Sequence, residues 1–322
     1  MMRDSALVRD GALERAQGCL LGQLAGDSLG SLVEFLGPSE IRRRYPEGVR
    51  DLADGGTWDT IAGQPTDDSE MALALARTLA QGQRFDEESV RSAYLRWYRS
   101  RPFDIGATTS GALGGSLNHH SQANGSLMRI SPLGIFAAGR DPDTIVAWAR
   151  ADAGITHPNP VCRDAAALYT LAVARAVAEG PAPIVLYEAI LRWAREQDVD
   201  PSLMAVAEAA GEAPPADCTD HAGWVLIAFQ NALYRLLHAP DLETGVVDTV
   251  MCGGDTDTNG AICGALLGAV HGAAAIPERW RTAVLACRPE TGLPGVRRPR
   301  PAVYWPVDAL ELAQQLLGDR VL

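Results

Sequence analysis

Glycine recurs at every fourth position in two stretches of the sequence, GCLLGQLAGDSLG at residues 18–30 and GAICGALLGAVHG at residues 260–272. Residues four apart lie on one face of an α-helix, so each stretch predicts a helix with a stripe that lacks side chains. Glycine inside a helix costs about 1 kcal/mol relative to alanine, so four on one stripe need a structural reason. We expect that reason to be close approach of a second helix or a ligand, nearer than the usual separation of about 8–10 Å between helix axes. The alternative is that the 32 glycines of the chain produce such runs by chance.

The rest of the chain also shows helical periodicity. Apolar residues are spaced by three or four in residues 70–81, 87–98, 144–151, 163–179, 184–196, 224–238 and 307–317. No comparable series of alternating apolar and polar residues predicts a sheet. The turn-rich breaks between these segments are short and contain apolar or aromatic residues, which is not typical of interdomain linkers. The sequence therefore predicts an all-α protein in which residues 1–322 form a single domain.

The charged residues narrow the possible functions. All 28 basic residues are arginine, so the chain cannot provide a P-loop lysine, a Schiff-base lysine or the lysine of a kinase. The net charge is −12, and no basic run is longer than the three arginines at residues 42–44. Nucleic-acid binding needs clustered positive charge, so we expect no nucleic-acid partner. A small molecule, a metal ion or a protein remains as the ligand.

Compartment and membrane association can also be predicted. Residues 1–15 contain no apolar segment typical of a secretory signal. The most apolar stretch, residues 260–276, contains His271 and is shorter than the roughly 20 residues of a membrane span, so a buried helix is the better interpretation. The six cysteines are scattered without a C-x-x-C pair, which indicates reduced, buried thiols. We therefore expect a cytoplasmic protein that does not associate with membranes.

Acidic residues open two of the predicted helices. TDDSE at residues 66–70 and GGDTDTNG at residues 253–260 each combine two aspartates with threonine. Taken singly, each motif is a good helix start, with Thr66 as N-cap and the acids favoured by the helix dipole. Together they offer about six oxygen ligands, the kind of set that Mg²⁺ or Mn²⁺ takes. Four clustered carboxylates without a cation would repel one another, so a metal site follows if the two helix starts meet in space.

A competing motif lies in the first glycine stretch. GDSLG at residues 26–30 matches G-x-S-x-G and resembles the nucleophile block of GDSL esterases. In those enzymes the serine follows an apolar strand, whereas residues 16–25 here have a helical pattern interrupted by glycine. The C-terminal region also has no D-x-x-H motif that would supply an acid and a base for Ser28. Asp27 is then interpreted as a core-facing polar residue beside the metal site, or as a capped buried acid.

Six motifs in this order resemble the ADP-ribosylglycohydrolase family. They are GQLAGDSLG (22–30) followed by Glu34, TDDSEM (66–71), PFDIG (102–106), NGSLMRI (124–130), THPNP (156–160) and GGDTDTNGAI (253–262). The resemblance extends from Gly22 to about Gly272. It implies an orthogonal bundle of α-helices, a centre of two Mg²⁺ ions, with Mn²⁺ possible, and hydrolysis of a glycosidic bond between ADP-ribose and a protein side chain. The implied partner is an ADP-ribosylated protein, and the implied product is ADP-ribose.

The resemblance also implies roles for individual residues. The metal ligands would be Thr66, Asp67 and Asp68 from one motif and Asp255, Asp257 and Thr258 from the other. Glu34 falls where relatives place an acid that closes over the site, and Asp104 resembles an acid near the scissile bond of arginine-specific members. Both are therefore candidate catalytic residues. The alternatives are a surface acid at a helix end for Glu34 and a turn aspartate for Asp104.

The substrate-binding residues implied by the family are Gly106, Ser121, Asn124, Gly125, Ser126 and His157. Residues 121–126 would form a loop before a helix at Leu127 and present N–H groups and hydroxyls to the diphosphate. His157 matches a family histidine that contacts the ligand, although a lone loop histidine is usually structural.

The reaction implied is attack of water on the anomeric carbon over a binuclear metal centre, with Asp104 or Glu34 handling the proton. Arginine-linked substrates are favoured because PFDIG resembles the arginine-specific members. Serine-linked or free ADP-ribose derivatives are the enzymatic alternative. A non-catalytic member that binds ADP-ribose or has a structural role is the other alternative, and the intact acidic motifs disfavour it. Immunity against an ADP-ribosylating toxin through hydrolysis stays open, and the expected oligomeric state is a monomer.

Overall fold

Helices account for all the regular structure in residues 2–318, the part of the chain that the computed structural model describes; side chains are described from residue 10 onward. The α-helices are α1 (Met2–Gly30), α2 (Pro38–Arg44), α3 (Asp67–Gly82), α4 (Glu87–Arg99), α5 (Ala107–Leu113), α6 (Ser131–Phe136), α7 (Pro142–Gly154), α8 (Pro160–Glu179), α9 (Pro183–Glu196), α10 (Pro201–Ala209), α11 (Val225–His238), α12 (Leu242–Val250), α13 (Thr256–His271), α14 (Glu278–Ala286) and α15 (Ala309–Leu317). Two isolated antiparallel bridges, Gly55 with Thr60 and Ala123 with Trp224, are the nearest approach to a sheet within residues 2–318.

The all-α prediction is confirmed, and so are the helices predicted from periodicity. Each predicted segment lies on one of α3, α4, α7, α8, α9, α11 or α15. The helix predicted at Leu127 is wrong: residues 125–129 form turns, and α6 begins only at Ser131. The reason is local, because the Asn124 carbonyl accepts the N–H groups of both Leu127 (2.7 Å) and Met128 (3.1 Å).

The two glycine stripes face each other in an antiparallel pair formed by α1 and α13. A Cβ atom placed on Gly22 would lie 2.1 Å from the carbonyl oxygen of Gly264, and one on Gly26 would lie 2.1 Å from that of Gly260. Such distances are far inside van der Waals contact, so no larger residue fits at these positions. Close backbone approach is therefore confirmed as the reason for the stripes. We call this contact the glycine seam.

One end of the glycine seam lies against the acidic motif at the start of α13. At its end, Gly30 lies against the backbone of Thr256 and Asp257, and the Thr256 hydroxyl donates a hydrogen bond of 2.7 Å to the Gly30 carbonyl. The first residues of α13 are thereby fixed against the last turn of α1. The buried-helix interpretation of residues 260–276 is confirmed for α13, whose residues are buried as far as Ala269. No helix among the described residues is long and apolar enough to cross a membrane.

The cysteines differ from the prediction at one position. All six are free thiols and five are buried, but Cys252 is only partly buried. It follows the last turn of α12, where the chain leaves the core toward the glycine-rich segment before α13. The prediction of uniformly buried thiols is therefore wrong for Cys252.

Candidate active site

The two acidic helix starts meet at the wall of one cleft. Its volume is about 450 Å³, and its walls come from α13 and from loops before α2, α3, α5, α6 and α8. The lining includes Glu34, Phe35, Trp58, Asp67, Asp104, Gly106, Thr109, Asn124, Gly125, His157, Ala222, Gly223, Asp255, Asp257 and Thr258. A second cavity of about 460 Å³ adjoins it through Ala123, Ala222 and Gly223 and is also lined by Gln122, His221 and Trp224.

Two groups of carboxylates in the cleft share Asp257. Asp27, Asp68 and Asp257 can place one oxygen each so that all three lie within 4.8 Å of one another, and all three residues are buried. Glu34, Asp104 and Asp257 form a second group by the same measure. The residues come from α1, α3 and α13 and from two loops, so four distant parts of the sequence converge on one acidic centre. Asp27 is a member that the sequence analysis did not place among the ligands.

Asp27 also supports the start of α3. Its carboxylate accepts hydrogen bonds from the backbone N–H groups of Thr66 (3.1 Å) and Ser69 (3.1 Å) and from the Thr66 hydroxyl (2.8 Å). Thr66 does occupy the N-cap position, but its side chain makes no capping bond to its own helix. The hydroxyl instead lies between Asp27 and Asp68, 3.1 Å from the latter carboxylate. An acid from α1 therefore caps α3: the N-cap position predicted for Thr66 is confirmed, but its side chain does not make the capping bond.

The acidic centre has the donor set of a hard divalent cation. Oδ1 of Asp68 is buried and has no hydrogen-bond partner among the described residues. Burial, followed by the nearby charges of Asp67 and Asp27, raises the pKa of Asp68 well above its usual value. Burial and the charge of Glu34 do the same to the pKa of Asp257. A buried, unpaired carboxylate oxygen among other carboxylates is unfavourable alone and favourable beside Mg²⁺ or Mn²⁺, so these residues fit such an ion.

The remaining two predicted aspartates link this centre to the loops. Oδ2 of Asp67 accepts the backbone N–H of Gly106 at 3.2 Å, and Oδ2 of Asp255 accepts the side-chain amide of Asn124 at 2.7 Å. Burial raises the pKa of Asp67 to about 6 and also raises that of Asp255. Asp257 in turn accepts the N–H of Thr258 at 2.9 Å. The predicted metal residues thus lie together, and their role as ligands stays a prediction.

The candidate catalytic acids face the same cleft. Glu34 is only 5% exposed, so it is not a surface acid, and its Oε2 accepts a 2.6 Å hydrogen bond from the Trp58 indole. Burial and the charge of Asp255 raise the pKa of Glu34 to about 8. Burial and the charges of Asp67 and Glu34 raise the pKa of Asp104 to about 10. Both side chains therefore hold a proton more readily than a free carboxylic acid does.

The structure separates the predicted substrate-binding residues into two groups. Gly106, Asn124, Gly125 and His157 line the cleft. Ser121 and Ser126 are not among the residues that line it, and their role in substrate binding stays a prediction. The Ser121 hydroxyl is used in a 2.7 Å hydrogen bond with Thr108, and Ser126 is fully buried with its hydroxyl unpartnered among the described residues.

His157 is a neutral imidazole held by its neighbours. The Arg129 guanidinium donates to the Thr156 hydroxyl at 2.7 Å, and that hydroxyl lies 2.8 Å from Nδ1 of His157. The second ring nitrogen, Nε2, is buried and has no partner among the described residues. Burial and the charge of Arg129 lower the pKa of His157 to about 3, so the ring is neutral. His157 is therefore a preoriented neutral group at the cleft.

Aromatic residues around the cleft were missed by the sequence analysis. Phe35 is 66% exposed and has a positive φ of 65°, a conformation held by the 2.8 Å hydrogen bond from its N–H to the Gly254 carbonyl. Trp58 and Phe103 form a tilted pair with ring centroids 6.2 Å apart. An isolated tryptophan or phenylalanine in a loop carries no periodic signal, and only Phe103 lies inside a quoted motif.

Comparison with known proteins gives a consistent result. A family model described as ADP-ribosylglycohydrolase matches residues 9–315. The chain is similar to ADP-ribosyl-[dinitrogen reductase] glycohydrolase of Rhodospirillum rubrum, with 30% identity over 280 residues, 83% of this chain and 89% of that protein. It is also similar to ADP-ribosylarginine hydrolase Tri1 of Pseudomonas putida, with 29% identity over 302 residues, 86% of this chain and 76% of that protein. A solved structure described as an ADP-ribosylglycohydrolase-related protein complex superimposes with a TM-score of 0.76 at 29% identity, covering 97% of this chain and 100% of that chain.

Proposed function

Because the chain belongs to the ADP-ribosylglycohydrolase family, we propose that it is a metal-dependent enzyme that releases ADP-ribose from modified protein side chains, with arginine-linked ADP-ribose as the favoured substrate. The observation that carries this proposal is the acidic centre of Asp27, Asp68 and Asp257 in the wall of a cleft of about 450 Å³. Pockets of this size suit small-molecule ligands. We also propose that residues 1–322 act as one domain, since the family match spans nearly the whole chain.

The cation-binding residues we propose are the predicted set, to which the structure adds one acid. They are Thr66, Asp67, Asp68, Asp255, Asp257 and Thr258, together with Asp27. Two Mg²⁺ ions, or Mn²⁺ ions, would supply positive charge that anchors the ribose hydroxyls and lowers the pKa of the attacking water. The protein residues fix where this charge lies, because the glycine seam and the Asp27 cap hold both helix starts rigidly.

The proton transfers fall to Glu34 and Asp104 in this proposal. Water attacks the anomeric carbon, so a carbon–oxygen bond forms while the bond from that carbon to the guanidinium nitrogen breaks. One carboxyl group donates its proton to the departing nitrogen, and a carboxylate accepts a proton from the water. Both side chains line the cleft beside Asp257, and their raised pKa values allow either one to hold a proton at neutral pH.

In this proposal the diphosphate lies against the wall of the cleft formed by Gly125 and His157. Gly125 is packed so tightly that a Cβ atom there would lie 2.9 Å from both the His157 ring and the Thr109 hydroxyl. Both residues line the cleft, and in this proposal the Gly125 backbone and Nε2 of His157, which has no partner among the described residues, contact the phosphate oxygens. Backbone N–H groups and neutral donors stabilise phosphate oxygens without introducing a titrating charge.

The proposed preference for arginine is supported by the residues around Glu34 and Asp104 in the cleft. There the carboxyl groups of Glu34 and Asp104 lie beside the ring pair of Trp58 and Phe103. Carboxylates and aromatic faces are the groups that bind guanidinium best. A serine-linked substrate offers no cation for these groups to recognise.

The test is release of ADP-ribose from arginine-linked and serine-linked modified proteins in parallel, with and without chelator. We expect release from the arginine-linked protein, loss of activity with chelator and recovery on adding Mg²⁺ or Mn²⁺. Asp257→Ala should abolish turnover while circular dichroism stays unchanged, whereas Asp143→Ala, at an exposed position on α7, should leave activity intact. Full activity of Asp257→Ala after chelation and addition of Mg²⁺ would contradict the metal assignment. Release from neither substrate would favour a binding role.

A further inference from the structure

The segment that carries Asp104 is attached to α3 at both ends, directly to the Asp67 carboxylate and through Arg300 to the Glu70 carboxylate. We call residues 100–106, which connect α4 to α5, the Asp104 loop. At its end, the Gly106 N–H is bound by Asp67. At its beginning, the Arg300 guanidinium donates to the carbonyl oxygens of Ser100 (3.1 Å) and Arg101 (3.3 Å) and to the Ser100 hydroxyl (2.8 Å).

Arg300 is itself fixed by Glu70, one helical turn after Asp67. The two side chains form a bidentate ion pair, with Nε to Oε1 and Nη2 to Oε2 both at 2.7 Å, and they are 4% and 2% exposed. The Trp97 indole donates to the same carboxylate at 2.7 Å. Arg101 has a positive φ of 55°, a strained conformation for a residue with a side chain, which persists only where its surroundings enforce it.

The C-terminal residues next to Arg300 also contact the residue that supports Glu34, the other candidate acid. Arg298, two residues earlier, donates from Nε to the Trp58 carbonyl at 2.8 Å, and its own carbonyl accepts the Gln64 side-chain amide at 2.6 Å. The Trp58 indole binds Glu34. One segment of the chain therefore touches the supports of both Asp104 and Glu34.

We propose that Arg300 is a positioning residue, which sets Asp104, and through its neighbour Arg298 also Glu34, relative to the acidic centre. The inference rests on the proposed function for its kinetic consequence, but its structural part does not. A displacement of about 1 Å in a reacting group can lower a rate by roughly 100-fold, so small changes at Arg300 should be visible in kcat.

A second ion pair on α3 provides a matched control. Arg77 forms a bidentate pair with Asp308 at 2.6 and 2.7 Å and also donates to the carbonyl oxygens of Val303 (2.8 Å) and Trp305 (3.3 Å). Arg77 therefore links α3 to the C-terminal region through the same kinds of bond that Arg300 makes, a bidentate ion pair and hydrogen bonds to carbonyl oxygens. None of these three partner residues belongs to the Asp104 loop, so Arg77→Lys should weaken the attachment without moving Asp104.

The experiment compares Arg300→Lys with Arg77→Lys. Lysine preserves the charge beside buried Glu70 but cannot reproduce the planar fork that reaches Ser100 and Arg101 together. We expect Arg300→Lys to lower kcat about 10- to 100-fold, with KM and the Kd for ADP-ribose changed less than about twofold. Arg77→Lys should leave all three unchanged. Hydrogen exchange of residues 100–106 should accelerate in Arg300→Lys and not in Arg77→Lys.

Each result decides the proposal. Equal kcat values for the two variants, or unchanged exchange in residues 100–106, would overturn it, and so would a parallel loss of kcat and ADP-ribose binding in both variants. If the wild-type protein releases no ADP-ribose, the proposed function fails, and the exchange measurement still decides whether Arg300 holds the loop. Should Arg300→Lys not fold, Glu70→Asp shortens the same ion pair from the other side and is judged by the same criteria.

Discussion

The starts of α3 and α13 are alike in composition and unlike in what holds them. Both begin with aspartate and threonine, and both face the same cleft. The α3 start is held by the Asp27 side chain, whose carboxylate accepts three hydrogen bonds from Thr66 and Ser69. The α13 start is held by backbone packing, because Gly30 lies directly against Thr256 and Asp257.

Because of this difference, the α3 side of the site depends on charge, whereas the α13 side depends on backbone packing. The Asp27 carboxylate is close to both Asp68 and Asp257, so the support of α3 should respond to pH and to cations. The glycine seam and the Thr256 hydroxyl at the start of α13 do not titrate, although the N-cap aspartate there, Asp255, also accepts the Asn124 amide. Under the proposed function, a bound cation would complete the α3 wall while the α13 wall stays constant.

The largest effect is expected where the seam itself is broken. In Gly264→Ala the new methyl group would lie 2.1 Å from the Gly22 carbonyl, and a rigid backbone cannot yield to it. We expect the free energy of unfolding to fall by about 4 kcal/mol or more, or no folded protein at all. Urea denaturation measures the change. The control is Gly82→Ala, at the end of α3, where a Cβ meets nothing within 4 Å. Equal stability of the two variants would contradict the seam.

The second prediction concerns pH in the presence of chelator. Burial raises the folded-state pKa of Asp27 to about 7 and that of Glu34 to about 8, whereas both titrate near pH 4 in the unfolded chain. A raised folded pKa gives stability that is fully present below the unfolded value and is lost as pH rises through the folded value. We therefore expect the metal-free protein to lose several kcal/mol of stability as pH rises from about 5 to 8, by about 1.4 kcal/mol per pH unit for each of the two groups below its folded pKa. Constant stability over this range in urea titrations would show that the carboxyl groups are not buried together.

The third prediction tests the charge-dependent support directly. A cation that binds only the folded protein adds about 2.7 kcal/mol of stability at a concentration 100-fold above its Kd. Asp27→Asn should reduce this Mg²⁺-linked gain to below about 1 kcal/mol at the same concentration, because one carboxylate leaves the cluster. Urea unfolding with Mg²⁺ and with chelator gives the difference. Asp143→Asn, exposed on α7, is the control and should keep the full gain.

The smallest effect is expected at the α13 start. Thr256→Ala removes the 2.7 Å hydrogen bond to the Gly30 carbonyl and should lower the free energy of unfolding by about 1 kcal/mol. Thr256→Ser keeps the hydroxyl and should recover most of that loss. The Mg²⁺-linked gain should be the same in both variants and in the wild type. A reduced gain in Thr256→Ala would show that this support also depends on the cation.

The sequence analysis succeeded where a chemical requirement is periodic or clustered. Glycine at every fourth residue predicted the seam, and two acidic helix starts predicted a common centre. The motifs also placed Glu34 and Asp104 at the cleft, although their roles in the reaction stay predictions. Helices α10 and α12 were missed because their apolar residues are less confined to one face than those of α15, a helix of the same length that was predicted.

The failures come from contacts between distant residues. Asp27 looked like part of a nucleophile motif, and its function as the cap of α3 depends on a neighbour 39 residues away. Ser121 and Ser126 were assigned to substrate binding from the family motifs, and the contact of Ser121 with Thr108 could not be predicted from them. Trp58 and Arg300 carry no motif, and their importance follows only from what they touch in three dimensions.

The glycine seam also determines when the site can assemble during synthesis. The Thr256 hydroxyl and the Gly30 carbonyl that it binds are 226 residues apart. At a ribosomal rate of about 5–20 residues per second, α1 emerges roughly 10 to 50 s before its partner helix exists. Its glycine face then has nothing to pack against, and contacts this distant in sequence form slowly because the connecting chain must first be ordered. Newly made chains therefore pass through a stage in which α1 has no helix on its glycine face, and the two halves of the acidic centre come together only after most of the protein has been translated.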